Sequence, residues 1–87
     1  MSLDERIFKA LANRRRLAIV KLLKIRKRLP VGDIAHYLKV TLPTTSKHLS
    51  ILAGADMLEY EKESLVVYYR LADNLPELVR DIIKHLK

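Results

Sequence analysis

Residues 31–52 read VGDIAHYLKVTLPTTSKHLSIL, and two short helices with a break between them are legible there. Ile34, Ala35 and Leu38 recur at helical spacing, and the pattern stops at Lys39-Val40. A second segment opens at Thr41, whose hydroxyl can accept the free N–H groups of a first helical turn. Pro43 stands just inside it, where proline is tolerated because its missing N–H would have no helical partner anyway. Helices over 33–39 and 42–52, joined by so tight a turn, predict a helix-turn-helix over residues 33–52. Spacing turns Thr45, Leu49 and Leu52 toward a core and leaves Thr44, Ser46, Lys47 and Ser50 facing solvent. That outer face holds small hydroxyls and one lysine, with no acid between Val40 and Ala55, and suits a phosphate-lined groove.

Charge agrees with that reading. The 87 residues carry a net charge of +7, unevenly spread. Residues 1–50 hold 12 Lys/Arg against 3 Asp/Glu, whereas residues 51–87 hold 5 against 7. The positive field therefore belongs to the half with the helix-turn-helix, as a polyanionic partner requires. A chain of this length buries only roughly 60–65% of its unfolded surface, so pairing with a second copy would stabilise it.

The flanking segments complete the element order. Ser2 with Glu5 forms a candidate capping box for a first helix, whose apolar stripe is Leu3, Ile7, Phe8 and Leu11. That helix is expected to end near Asn13, a residue that tolerates left-handed backbone. The segment 14–26 is apolar on more than one face, through Leu17, Ile19, Val20, Leu22, Leu23 and Ile25, and reads as a central core helix. Its basic end, Lys24-Ile25-Arg26-Lys27-Arg28, suits either a helix-dipole role or DNA. Leu29-Pro30-Val31 reads as a short edge strand. Residues 58–62 and 65–70 are β-branched or aromatic around Glu63-Ser64, which predicts a β-hairpin, or wing, over 58–71. In the last helix, 75–87, the apolar positions Leu75, Leu78, Val79, Ile82, Ile83 and Leu86 make one continuous stripe. A stripe of that kind on a small chain is expected to be shared with a second copy. The fold class expected is α+β, mainly α: five helices and a two- to three-stranded wing sheet in one winged helix-turn-helix domain spanning 1–87.

Several functions are disfavoured. The chain has no cysteine, hence no disulfide, thiolate metal site or thiol switch. No apolar run approaches the roughly 18 residues that span a bilayer. MSLDERIF has early acids and no apolar core, unlike a secretion signal, so a cytoplasmic, nucleoid-associated protein is expected. The acid–His pairs at helical spacing are Asp33 with His36 and Asp81 with His85, and there is no glycine-rich phosphate loop, so no enzyme and no cofactor are expected.

At this point the chain resembles the arsenic-repressor (ArsR) family of winged-helix transcription factors, from Ile7 to about Leu86. FKALANRRRLAIV, residues 8–20, resembles the family's ALADPTRLRIL opening. TLPTTSKHL, residues 41–49, resembles its LSQSTVSHHL recognition helix, and VYYRL, residues 67–71, matches its second wing strand. The resemblance implies a homodimer whose first and last helices form the interface, here Leu3, Ile7, Leu75, Leu78, Val79, Ile82, Ile83 and Leu86. It implies a recognition helix in the major groove and a wing along the backbone or minor groove.

Three departures qualify it. The family's cysteine pair falls on residues 28–34, which hold none, and of its Asp/His site on the last helix only Asp81 and His85 offer a pair. No metal is expected. Leu42-Pro43 replaces a polar pair that can hydrogen-bond bases, so these two can only make apolar contacts such as those with thymine methyls. Hydrogen-bonding readout falls to Thr44, Ser46 and Lys47, with Thr41 and Ser50 on phosphate. His48 matches the family's second histidine and either reaches phosphate or packs at the helix edge. The wing tip, Glu61-Lys62-Glu63-Ser64, is acidic, so either Lys62 alone touches DNA or the wing stands clear.

The expected function is a homodimeric, sequence-specific regulator of transcription, a repressor acting on double-stranded DNA. The alternatives are a chromatin-like binder without sequence preference and a winged-helix module that binds protein.

Overall fold

The computed structural model describes residues 3–86, with Leu3 and Asp4 described by backbone alone. The Ser2 cap and the place of the Leu3 side chain in a dimer interface lie outside the described residues. The order is α1 (Leu3–Leu11), α2 (Arg14–Arg26), β1 (Arg28–Pro30), α3 (Val31–Leu38), α4 (Leu42–Gly54), β2 (Leu58–Glu63), β3 (Val66–Leu71) and α5 (Glu77–His85). Five helices and a three-stranded antiparallel sheet, ordered β1-β3-β2, are those of a winged helix-turn-helix.

Local chemistry sets the boundaries. Asn13 does not close α1 in left-handed backbone: its φ is −158° and it starts α2, its side-chain oxygen accepting from Arg15 N at 2.9 Å and Arg16 N at 3.1 Å. An Asn at an N-cap satisfies two orphan donors, which is worth more here than a tolerated turn geometry. The break between α3 and α4 is a left-handed Lys39, φ 59°, after which Val40 N donates to Ala35 O at 3.2 Å. Thr41 then caps α4, accepting from Thr44 N at 3.3 Å. Asp56, φ 61°, ends α4 in the same way, with Met57 N donating to Leu52 O at 3.1 Å. Pro30 is carried on an edge strand, opposite Tyr68 of the central β3.

The core joins Ile7 of α1, Ile19, Val20 and Leu23 of α2, Ile34 of α3, Leu49 and Leu52 of α4, and Met57. Thr45 is buried with them; its hydroxyl donates to Thr41 O at 2.9 Å, so no polar atom there lacks a partner. α2 is the central helix, but only on one side. Leu22 and Leu23 are buried, whereas Ile25 is 70% exposed.

The last helix begins at Glu77, two residues later than the stripe alone suggested, and Pro76 precedes it without a side-chain cap. Proline fixes its own φ and removes an N–H, so Leu75 remains in the approach segment. Val79 and Ile83 are buried in this chain's own core with Ile7, so these three are not available to a partner. A stripe read as one interface is divided: its centre packs on α2, while Leu75, Leu78, Ile82 and Leu86 are half-buried at the rim of the core. Lys24 holds this helix down. Its Nζ donates to Ile83 O at 3.0 Å and Leu86 O at 3.1 Å. The cation thus serves the negative end of α5 rather than that of its own helix.

Replacing Lys24 with Met, which keeps the apolar stem, should lower unfolding stability by about 1.5–3 kcal/mol, the range for hydrogen bonds to a charged group. Lys84→Met, on the exposed side of α5, should stay within about 0.5 kcal/mol. Denaturant titration of the two variants checks this, and equal losses would remove the tether.

Candidate nucleic-acid interface

The outer face of α4 is open. Thr41, Leu42, Pro43, Ser46, Lys47 and Ser50 are exposed, and Thr44 is half-buried, its Oγ1 accepting from the Thr41 hydroxyl at 3.0 Å. Pro43 sits in the first turn, where no N–H is lost. The positive end of the helix dipole therefore lies beside exposed hydroxyls, an arrangement that favours an anion.

His48 lies apart from that face. It is 8% exposed, and its Nδ1 accepts from Arg16 Nη1 at 3.2 Å. A guanidinium only donates, so the ring is the neutral tautomer with the proton on Nε2. Of the two roles open to His48 in the sequence, the geometry is that of packing at the helix edge. The same arginine reaches back to α1, donating through Nε to Ala10 O at 2.6 Å and through Nη2 to Lys9 O at 3.2 Å. One side chain thus joins the end of α1, the start of α2 and the middle of the recognition helix. Burial lowers the His48 pKa below its ordinary 6.5, and the charges of Arg16, Arg15 and Lys47 lower it further. Arg15 and Lys47 are themselves exposed, at the foot of α2 and on α4.

The wing separates its charges by strand alternation. Glu59, Glu61 and Glu63 of β2 face the same way as Arg70 and Tyr68 of β3, while Tyr60 and Lys62 face the other way. Arg70 holds Glu59 at 2.6 Å, Glu61 at 3.3 Å and Asp73 at 2.9 Å. Arg28 pairs with Glu63 and stands over the Tyr68 ring, 4.0 Å from its centroid. The acids that would repel phosphate are thus engaged on one face, and Lys62 is exposed on the opposite one. Each pair is partly exposed and individually weak, but the shared cation makes them a network. In the sequence, the only sign of it was the period of two in Glu59, Glu61 and Glu63.

The Asp81–His85 pair is not a side-chain pair. His85 Nδ1 donates to the main-chain oxygen of Asp81 at 2.8 Å.

Residues 13–60, from the α2 cap into the first wing strand, match the family model described as "Bacterial regulatory protein, arsR family". The chain belongs to the arsR family. It is similar to a cadmium resistance transcriptional regulatory protein, a CadC homolog of Staphylococcus aureus, at 33% identity over 92% of this chain and 67% of that one. Its fold is similar to the homodimeric winged helix-turn-helix DNA-binding domain of a possible ArsR-family regulator from Mycobacterium bovis. That match has 34% identity and a TM-score of 0.81, over 94% of this chain and 72% of that one. It is also similar to the transcriptional repressor PagR of Bacillus anthracis, with 33% identity and a TM-score of 0.79, over 98% of this chain and 93% of that one. In this arsR-family chain, as the sequence already indicated, the position of the family's cysteine pair holds none.

The neutral His48 makes stability depend on pH with a definite sign. A histidine whose folded pKa is depressed leaves the unfolded state binding more protons. Its stabilising effect is complete above 6.5 and is lost as pH falls from there through the folded value. Thermal unfolding from pH 7.5 to 5 should show a falling melting temperature, and His48→Gln should flatten that fall. Identical pH profiles for the two proteins would contradict the assignment.

Proposed function

We propose that this arsR-family regulator acts as a homodimeric repressor that reads a pseudo-palindromic DNA site through α4. The carrying observation is the outer face of that helix: exposed hydroxyls, one free lysine and no acid. Ser46 and Lys47 would read base edges, Leu42 and Pro43 would meet thymine methyls, and Thr41, Thr44 and Ser50 would lie at or near the backbone. Arg15 extends the positive surface from α2, and Lys62 is the wing residue on the side away from the acids. His48 has a supporting role, holding Arg16.

Two copies would meet along the first and last helices. With Val79 and Ile83 committed to the chain's own core, the self-complementary surface would be built from Leu78 and Ile82, with Leu75 and Leu86 beside them. Two-fold symmetry would then set half-sites about one helical turn, roughly 34–36 Å, apart. Repression follows from occupying a promoter, with no catalytic step. Such a partner would place the protein in the cytoplasm, on the nucleoid.

A titration of duplex DNA from upstream of the protein's own gene, against scrambled DNA of equal length, tests this at two salt concentrations. The upstream duplex should bind tighter by about a thousandfold or more, in a dimer-sized complex whose affinity falls steeply with salt. Lys47→Ala should reduce the preference itself, and Ile82→Glu should yield a monomer that binds poorly. Equal binding of both duplexes would indicate an architectural role, and no binding at low salt would indicate a protein partner.

A further inference from the structure

Part of the apolar surface of α2, Ile25 above all, is not taken up by the core. Along its outer side, one helical face carries Arg14, Leu17, Ala18, Lys21, Leu22, Ile25 and Arg26, at spacings of three and four. Together with Tyr37 of α3 these residues line an open trough of about 530 Å³. Leu17, Ala18, Leu22 and Ile25 form its floor, and Tyr37, 58% exposed, is a wall. That volume falls in the range of roughly 300–1,000 Å³ seen for small-molecule sites, which are mostly apolar with a few fixed polar groups.

The polar groups here are all of one sign. Arg14, Lys21 and Arg26 stand on the trough, and no carboxylate lines it. Among the described residues none of the three is ion-paired, whereas Arg16, Lys24, Arg28 and Arg70 are each engaged by carbonyls or carboxylates. Arg26 also borders a second hollow that contains Asp33, so the unopposed positive end is the one with Lys21 and Arg14. An apolar floor flanked by unpaired cations is complementary to a ligand with an apolar body and an acidic head.

We infer that this trough binds a small amphipathic organic anion, its apolar body on Leu17, Ala18 and Ile25 against Tyr37 and its acidic group at Lys21. The site does not depend on the proposed DNA role. It does adjoin the helix-turn-helix, because Tyr37 lies one residue before the end of α3 and two before the left-handed Lys39.

The test uses decanoate and decyltrimethylammonium, equal tails with opposite heads, titrated into the whole isotope-labelled chain and followed by amide chemical shifts. Decanoate should give saturable shifts confined to residues 14–26 and Tyr37, with the ammonium probe binding about tenfold or more weakly. Lys21→Glu should lose about tenfold in decanoate affinity and Lys21→Arg should keep it, while Lys84→Glu on α5 should change it by less than about twofold. Equal binding of both probes, equal effects of Lys21→Glu and Lys84→Glu, or no saturable shifts would overturn the inference. So would a change of oligomeric mass in Lys21→Glu, which would make a second copy the occupant. Displacement of decanoate by duplex DNA, with Lys21→Glu weakening DNA equally, would make the trough a phosphate surface and also overturn it.

Discussion

Arg16 is the side chain on which the placement of the recognition helix depends. A helix-turn-helix needs its second helix held at a fixed angle to the body, and apolar packing through Leu49 and Leu52 gives burial but little direction. The guanidinium supplies direction through three donors in one plane, to Lys9 O, Ala10 O and His48 Nδ1. The two carbonyls are at the end of α1, where a helix leaves acceptors unpaired. A lysine could not reach all three in fixed geometry. The arrangement also requires His48 to be neutral, which burial and its cationic neighbours enforce.

The rest of the charge is distributed according to the same logic. Lys24 closes the end of α5, and Arg70 and Arg28 gather the acids of the wing. After those are assigned, the free cations include Arg15 and Lys47 near the recognition helix and Arg14, Lys21 and Arg26 on the outer side of α2.

Much of the architecture was legible because periodicity and caps are local. Thr41 and Pro43 fixed the start of α4, and the inward set Thr45, Leu49 and Leu52 followed from spacing of three and four. The hairpin and the edge position of Pro30 were legible for the same reason. What failed depended on contacts far apart in sequence. Asn13 is the local exception: its tolerance of left-handed backbone suits a helix end, but the two hydrogen bonds it accepts from Arg15 and Arg16 make it the start of α2. The stripe of α5 could not reveal that Val79 and Ile83 belong to α2 rather than to a second copy. His48 and Arg16 are 32 residues apart, and nothing at either position signals the other. The acids of the wing looked repulsive only while Arg70 was unplaced opposite Glu59.

The most direct test of this account is a double-mutant cycle on Arg16 and His48, using Arg16→Met, His48→Phe and the pair, read by denaturant unfolding. A positively coordinated clamp predicts that the single changes are non-additive by about 0.5–3 kcal/mol, with the double variant less damaged than the sum. Additive losses would mean that the two side chains act separately, and the recognition helix would then owe its orientation to apolar packing alone.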